Sequence, residues 1–426
     1  MGLFQKWLEK IFVVTSLILF SGAIGGFIAE DNPLNIIKVV FAYTGHIITL
    51  ILIIARWKKV MAIIVKEKIL WILLAITLAS PLWSEIPSYT FEHTMPLLRV
   101  TVFAVYFSAR FCMKEQLQLL AWAFGIAAIL SLLVCLAIPY YGVVGVGLIV
   151  GQEEVVHTGS WRGLYIHKTF LGSIMSIGSL IFLFCGIGKY KYTGLIWASF
   201  LLTIFLLLRS TTTAALGILL IIMMIIPCCR LLRINFSLYL SLFLGLFLLA
   251  ATASTAIATN ADSIFNSIGK EPTISGRTLI WPLLLDKIWK RPWLGYGYET
   301  FWEGGWEGEP ADIWRGLIGG FEPPHAHNGF LELWVDVGLI GLAIFTVSFA
   351  IVLWRSLVWL QKNNSIEGIV PISLLIQIIL LNLTESYLMR SDIYWLLYVT
   401  ITLSMYQQPP KRYFIISQNN QELLSI

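Results

Sequence analysis

The stretch FEPPHAHNGFLELWVDVGLIGL, residues 321–342, changes from a polar loop into an apolar helix. Pro323 and Pro324 lie in the loop, and the apolar run that follows covers about residues 328–353. Such a run is longer than the roughly 20 residues that an α-helix needs to cross a bilayer. His327 lies at the boundary between water and lipid, where an imidazole can titrate near neutral pH. This boundary is therefore the first candidate for a functional site.

The whole chain shares this apolar composition. Hydrophobic residues make up 58% of the 426 residues and charged residues 12%, and the mean hydropathy is +0.81. A soluble domain has about twice that share of charged residues. Lipid admits only structures whose backbone hydrogen bonds are internal, and runs of this length fit helices. We therefore predict an all-α polytopic membrane protein, with a single integral membrane domain over residues 1–426.

About twelve apolar runs are candidate transmembrane helices. They cover residues 11–28, 34–54, 69–83, 95–112, 117–138, 169–187, 194–208, 212–228, 235–257, 328–353, 367–387 and 392–406. Basic clusters fall in alternate connections and beside both ends, which places both termini in the cytoplasm by the positive-inside rule. Two loops, at residues 139–168 and 258–327, then lie on the outer face. Because the net charge of +5 comes from scattered clusters, we predict membrane lipids and no nucleic acid as partners.

The large outer loop at 258–327, between the ninth and tenth runs, is rich in aromatic residues. Disordered segments are poor in them, so we expect a folded loop that contains helices. Ser275 can cap a helix that continues toward Lys290 and ends at PWLGYG, residues 292–297. A helix lying in the membrane interface fits this segment. An ordinary surface helix packed on its own domain fits equally well.

The five cysteines lie within or beside apolar runs. None lies in a long polar loop, and no pair has the spacing of zinc ligands. The sequence therefore predicts neither a disulfide framework nor a metal site.

Three arginines, Arg162, Arg209 and Arg277, are predicted to lie beside the outer ends of the spans. A guanidinium group offers paired planar donors to a phosphate. The free N–H groups at the helix start after Arg209 would add further donors. These arginines are therefore candidates for anion binding. The alternatives are a snorkelling helix end for Arg209, a surface salt bridge for Arg277 and an ordinary loop cation for Arg162.

Asn328, Glu332 and Asp336 recur every four residues and form one polar stripe on the helix that follows His327. Carboxylates inside a span are costly and face a protein interior or a wet cavity. Glu332 lies about one turn from His327 and could orient the imidazole for acid–base catalysis. The alternative is that His327 only caps the helix, while the two acids pair with a basic residue elsewhere, either Arg99 or Lys168.

His327–Asn328, followed by nine residues and Gly338, resembles a signature of the O-antigen ligase and polysaccharide polymerase superfamily. The resemblance covers roughly residues 85–400. It includes RGLYIHKTFLG at 162–172, Arg209–Ser210–Thr211, and SGRTLIW with RPWLGYGYETF within 275–301. The forms RGLYIHK and RPWLGYG are closer to the exopolysaccharide polymerases than to the lipopolysaccharide-core ligases. Thr169 stands where the family pattern often has Asn.

The resemblance implies a membrane glycosyltransferase fold of the GT-C type. It implies a place in the bacterial inner membrane, with the active site on the periplasmic or outer face. The donor would be a glycan on undecaprenyl pyrophosphate. The acceptor would be a sugar hydroxyl, on a glycan or a lipid-linked sugar. The reaction would invert the anomeric centre without a metal or another cofactor, because arginines would neutralise the leaving group.

The same resemblance gives each candidate residue a role by position. The catalytic residues would be His327 and Glu332, with His327 activating the acceptor or helping to bind the donor. The donor pyrophosphate would be bound by Arg209, Arg277 and Arg162. The site would be supported by Asn328, His167 and Lys168.

Two other functions share part of this pattern. A transporter of a small anion such as bicarbonate would hold its site near the membrane midplane, often between two related halves. Here the cations are predicted at the outer interface, and the sequence shows no internal repeat. A protein O-oligosaccharyltransferase would use the same motifs with a protein acceptor. Ligase and polymerase both stay open, because the sequence does not identify the acceptor.

Overall fold

A computed structural model describes residues 3–23, 35–146, 157–232, 277–317 and 322–406, with positions 237 and 241. These ranges are helical apart from turns and one isolated bridge between Val143 and Trp161, which confirms the all-α prediction. The helices are α1 (Leu3–Phe20), α2 (Asn35–Ile54), α3 (Trp57–Ile64), α4 (Ile69–Ala79), α5 (Pro87–Arg110), α6 (Met113–Ala137), α7 (Pro139–Gly142), α8 (Lys168–Ile187), α9 (Thr193–Arg209), α10 (Thr213–Leu232), α11 (Arg277–Lys290), α12 (Ala311–Gly316), α13 (Gly329–Lys362), α14 (Val370–Leu381) and α15 (Ile393–Ser404). Short 3₁₀ helices cover Ser80–Leu82, Phe301–Glu307 and Ile366–Gly368.

Three of these helices, α6, α8 and α13, are long and apolar enough to cross a membrane. Shorter apolar helices cover Val39–Ile54, Ile69–Leu82, Thr193–Arg209, Thr213–Pro227, Val370–Leu381 and Ile393–Ser404. Together they coincide with nine of the predicted runs. The first and fourth runs overlap α1 and α5, and the ninth run, at 235–257, lies almost wholly outside the described residues. The total of twelve spans stays a prediction.

Helix α8 lies at the centre of the described bundle, packed against α6, α9, α10 and α14. Most of its side chains are buried, and many are small, which lets neighbouring backbones approach closely. Ser176 Oγ donates to the carbonyl oxygen of Ala215 at 3.2 Å, and Gln377 Nε2 donates to Ser176 Oγ at 2.8 Å. These contacts hold the N-terminal end of α8, where Lys168 begins the helix, in a fixed position.

The described part of the large loop has a hydrophobic core of its own. The predicted helix toward Lys290 is present as α11, while Ser275 lies outside the described residues. The buried face of α11, formed by Ile280, Leu284 and Ile288, packs in one cluster with Trp314 of α12. The helix therefore packs on its own domain, as the second alternative expects.

Helix α13 is interrupted at Gly338, which has φ 71° and ψ −177°. The loop after α11 occupies the interruption: Leu339 N donates to the carbonyl oxygen of Pro292 at 2.7 Å. Ile340 N donates to the carbonyl oxygen of Trp293 at 3.2 Å. A Cβ atom at position 338 would overlap that Trp293 carbonyl, and the positive φ disfavours any side chain. Glycine is therefore required where the polar stripe meets the loop.

Candidate functional site

The loop before α8 and the turn after α9 lie against each other. Trp161 N donates to the carbonyl oxygen of Arg209 at 2.9 Å, and the Arg209 guanidinium lies 4.8 Å from the centroid of the Trp161 ring. Lys168 Nζ donates to Thr211 Oγ1 at 3.1 Å. These contacts bring Arg209 and Lys168, which are far apart in sequence, to one surface.

The two arginines on this surface are held differently. Arg162 Nε donates to the carbonyl oxygen of Tyr141 at 2.8 Å, so part of its guanidinium is fixed against the end of α7. Arg209 is exposed. Its guanidinium lies over the Trp161 ring, a contact that does not use up its hydrogen-bond donors. The more accessible anion donor is therefore Arg209. We call Arg162, His167, Lys168 and Arg209 the basic cluster.

His167 caps α8, because its Nδ1 accepts a hydrogen bond from Thr169 N at 3.2 Å. Burial, together with the smaller effects of the charges of His157, Lys168, His327 and Arg162, lowers the pKa of His167 to about 4. The imidazole is therefore neutral at pH 7.

His327 lies in the turn that precedes α13, with a φ of 50°. Its backbone N–H donates to Nδ1 of His325 at 3.2 Å, and its own Nδ1 lies 3.9 Å from Oε2 of Glu385. Among the described residues this buried Nδ1 has no hydrogen-bond partner. The side chain that caps α13 is that of Asn328, whose Oδ1 accepts Phe330 N at 3.0 Å. The cap is therefore Asn328, which leaves the imidazole of His327 available for another role.

Glu332 lies beneath this turn and fixes its backbone. One oxygen accepts Ala326 N at 2.6 Å, and Trp302 Nε1 donates to the carboxylate at 3.2 Å. Arg390 Nη2 donates to the same carboxylate at 2.6 Å. The carboxylate that faces the imidazole of His327 is thus that of Glu385. Glu332 positions the residue just before His327, and a catalytic role for it stays a prediction.

Arg390 is the partner of both acids in the polar stripe. It lies 3.2 Å from Asp336 and 2.9 Å from Glu299, in addition to its bond with Glu332. The expectation that the acids would pair with Arg99 or Lys168 is wrong. Arg99 lies over a tyrosine ring, and Lys168 bonds to a threonine. We call Arg390, Glu299, Glu332 and Asp336 the acid–arginine network.

Arg277 is the first residue of α11, but the placement of its side chain lies outside the described part of the chain. Its predicted contact with a donor pyrophosphate therefore stays a prediction.

Sequence reasoning missed Glu385 and Arg390, which lie in the connection between α14 and α15. A signal was present, because the short segment ESYLMRSD, residues 385–392, contains three charged residues between two apolar runs. Charged residues beside spans are usually paired or functional. The segment reaches the site because Phe170 of α8 packs against Tyr387, with ring centroids 5.5 Å apart.

The chain is similar to known proteins over part of its length. The family model described as O-antigen ligase matches residues 197–346. The resemblance to the O-antigen ligase and polysaccharide polymerase superfamily is confirmed. The matched region contains Arg209, Arg277, His327, Asn328 and Glu332, and it begins after Arg162, His167 and Lys168.

A second similarity is to the exopolysaccharide production protein ExoQ of Rhizobium meliloti (strain 1021). The two sequences are 33% identical over 109 residues. The aligned part makes up 25% of this chain and 25% of the relative. The chain thus matches about a quarter of that relative's length. Together with the apolar helices, the family match identifies a membrane protein.

Proposed function

We propose that this protein transfers a glycan at the outer face of the bacterial inner membrane. The donor is a glycan on undecaprenyl pyrophosphate, and the acceptor is a sugar hydroxyl. The observation that carries the proposal is the meeting of two features at one surface. The buried Nδ1 of His327 has no hydrogen-bond partner among the described residues and lies 3.9 Å from Glu385. The segment that carries Glu385 packs against α8, the helix that begins in the basic cluster, through the rings of Tyr387 and Phe170. A base beside a set of cations is what attack on a sugar pyrophosphate requires.

In the proposed reaction the acceptor hydroxyl loses its proton to Nε2 of His327. The hydroxyl oxygen attacks the anomeric carbon from the face opposite the pyrophosphate. The bond between that carbon and the pyrophosphate oxygen breaks, and the electron pair leaves with the pyrophosphate. The configuration of the anomeric carbon is therefore inverted. Nδ1–H of the resulting imidazolium points toward Glu385, 3.9 Å away, whose carboxylate stabilises the charge.

The basic cluster has the opposite task, which is to accommodate the departing negative charge. Arg209 offers an exposed guanidinium group, and Lys168 adds an ammonium group at the start of α8. Arg162 and Arg277 complete the proposed set, as the family resemblance of their sequence motifs implies. Fixed cations of this kind take the place of a metal ion at the leaving group.

Polymerase and ligase differ only in the acceptor. The name of the relative, an exopolysaccharide production protein, favours a growing polysaccharide. The following test distinguishes this activity from transport of a small anion. A protein O-oligosaccharyltransferase would instead require a protein acceptor.

The test uses purified protein in nanodiscs with an undecaprenyl-pyrophosphate-linked oligosaccharide, and mass spectrometry follows product length. Wild-type protein should extend the glycan, and His327→Ala should reduce the rate by about 10²–10⁴-fold, as expected for loss of a general base. The matched control is His93→Ala, whose histidine lies 4.0 Å from Glu299. Transfer by His327→Ala at the wild-type rate would overturn the assignment. Anion flux into proteoliposomes that contain the protein, without any glycan transfer, would favour the transporter.

A further inference from the structure

We propose that His325, His327 and Glu385 form a zinc-binding site and that zinc bound there inhibits the transfer. The inhibition rests on the proposed function, whereas the binding does not. One donor atom from each of the three side chains lies within 4.8 Å of the other two. The three residues come from two segments that are far apart in sequence, so spacing alone could not predict the site.

The geometry needs little change to hold an ion. Donor atoms around a tetrahedral zinc ion lie about 3.3 Å apart when each bond is about 2.0–2.1 Å long. Nδ1 of His327 and Oε2 of Glu385 are 3.9 Å apart. The rings of His325 and His327 approach edge to face, with centroids 4.2 Å apart. Small side-chain rotations therefore bring the three donors to bonding distance.

The donor set selects the metal. Two imidazoles with one glutamate form a three-ligand set typical of zinc sites that keep a fourth position open. Magnesium instead prefers six oxygen ligands and retains its waters. A bound zinc ion would also give a partner to Nδ1 of His327, which has none among the described residues. Because the set has only three protein ligands and a single carboxylate, we expect micromolar rather than nanomolar affinity.

Zinc on Nδ1 would stop the proposed reaction for a simple chemical reason. Coordination occupies the lone pair of Nδ1, so the neutral ring must carry its proton on Nε2. Nε2 then has no lone pair to accept the proton of the acceptor hydroxyl. Glu385 would be bound to the metal and would no longer stabilise an imidazolium.

Isothermal titration calorimetry tests the binding directly, on full-length protein purified without a polyhistidine tag and freed of metal with a chelator. Wild-type protein should bind one zinc ion and no magnesium. His325→Asn, which keeps an acceptor near the position of Nδ1, and Glu385→Gln should each weaken binding at least ~10-fold. The control His93→Asn should bind like wild type. No zinc binding by wild type, or equal affinity in His325→Asn, would overturn the site.

The transfer assay tests the inhibition, with free zinc set by a chelating buffer because the donor pyrophosphate also binds zinc. Micromolar zinc should inhibit wild type, and His325→Asn should be equally active without zinc but resistant to it. Equal inhibition of both proteins would overturn the inhibitory role. Transfer without zinc binding would count against this proposal alone, and zinc binding without any transfer would count against the proposed function alone.

Discussion

The acid–arginine network and the basic cluster are two charged regions that differ in how their charges are compensated. In the network, Arg390 is 16% exposed, Glu332 and Asp336 are each 3% exposed, and the guanidinium contacts three carboxylates. In the basic cluster, Arg209 is exposed and stacks on Trp161. The first region is closed, since its guanidinium and carboxylates contact one another within the fold. The second is open, and its positive charge is available to a ligand.

This difference separates two roles of charged residues within one fold, which are stabilisation and ligand binding. Buried charges are expensive to leave unpaired, so the network binds its elements firmly together. Through Glu332 and Ala326 N it also sets the turn that carries His327. An exposed cation contributes little to stability, and its value lies in binding. Mutations in the two regions should therefore affect different measurements.

The largest effect is expected at Arg390. Arg390→Ala would leave the two buried carboxylates of Glu332 and Asp336 without a cation, and it should lower the free energy of unfolding by about 3–5 kcal/mol. Denaturant unfolding in detergent, followed by tryptophan fluorescence, measures this. Arg390→Lys serves as the matched control, since it keeps the charge but loses the forked donors. Its unfolding free energy should lie between those of wild type and Arg390→Ala. An unchanged unfolding midpoint for Arg390→Ala would show that the network does not stabilise the fold.

The next largest effect on stability is expected at Gly338, where α13 is interrupted and the loop after α11 packs against it. Gly338→Ala should lower the free energy of unfolding by about 1–3 kcal/mol, because a side chain at φ 71° is strained and would overlap a carbonyl. Gly217→Ala is the control, since a Cβ there meets nothing within 4 Å. That change should be neutral or slightly stabilising in a helix. Equal stability of the two variants would mean that α13 can continue without the interruption.

Gly338 and Arg390 also show what the sequence could and could not predict. The spacing from His327 to Gly338 was visible, and so were the polar stripe and the apolar run that makes α13. The polar stripe indicated that Glu332 and Asp336 face protein or water. It did not identify their partner, because Arg390 reaches them only when α13 packs near the connection between α14 and α15. Pairing between elements distant in sequence depends on tertiary packing, which periodicity does not report.

The same limit applies at His327. A helical spacing placed Glu332 about one turn away, and the structure does place it beneath the turn. The acid that faces the imidazole is nevertheless Glu385, which lies in the connection between α14 and α15. Spacing within one helix identifies residues on the same face. It cannot identify which of two nearby carboxylates a loop side chain meets.

In the basic cluster, Arg209→Ala should leave stability almost unchanged and weaken binding of the donor. Loss of one guanidinium–phosphate contact should reduce affinity for undecaprenyl pyrophosphate about 10-fold or more. Microscale thermophoresis at two salt concentrations measures this, and the salt dependence should weaken in the variant. Arg315→Ala is the control, because Arg315 pairs on the surface with Asp312. A similar loss of affinity in both variants would indicate a general charge effect rather than a site.

The smallest effect is expected at His167, the member of the basic cluster whose pKa is lowered far enough to keep it neutral at pH 7. Its pKa in the folded protein, about 4, lies below the ordinary value of 6.5, so the folded state binds fewer protons than the unfolded state between these values. The stability that this provides is complete above pH 6.5 and is lost as the pH falls toward 4. Between pH 7 and pH 5.5 the loss should be about 1 kcal/mol. Asn is a good helix cap that does not titrate in this range, so His167→Asn should keep α8 intact and remove that loss. Equal losses of stability in wild type and variant over this interval would mean that the pKa of His167 is not lowered by folding. The contrast between compensated and open charges would then not extend to this residue.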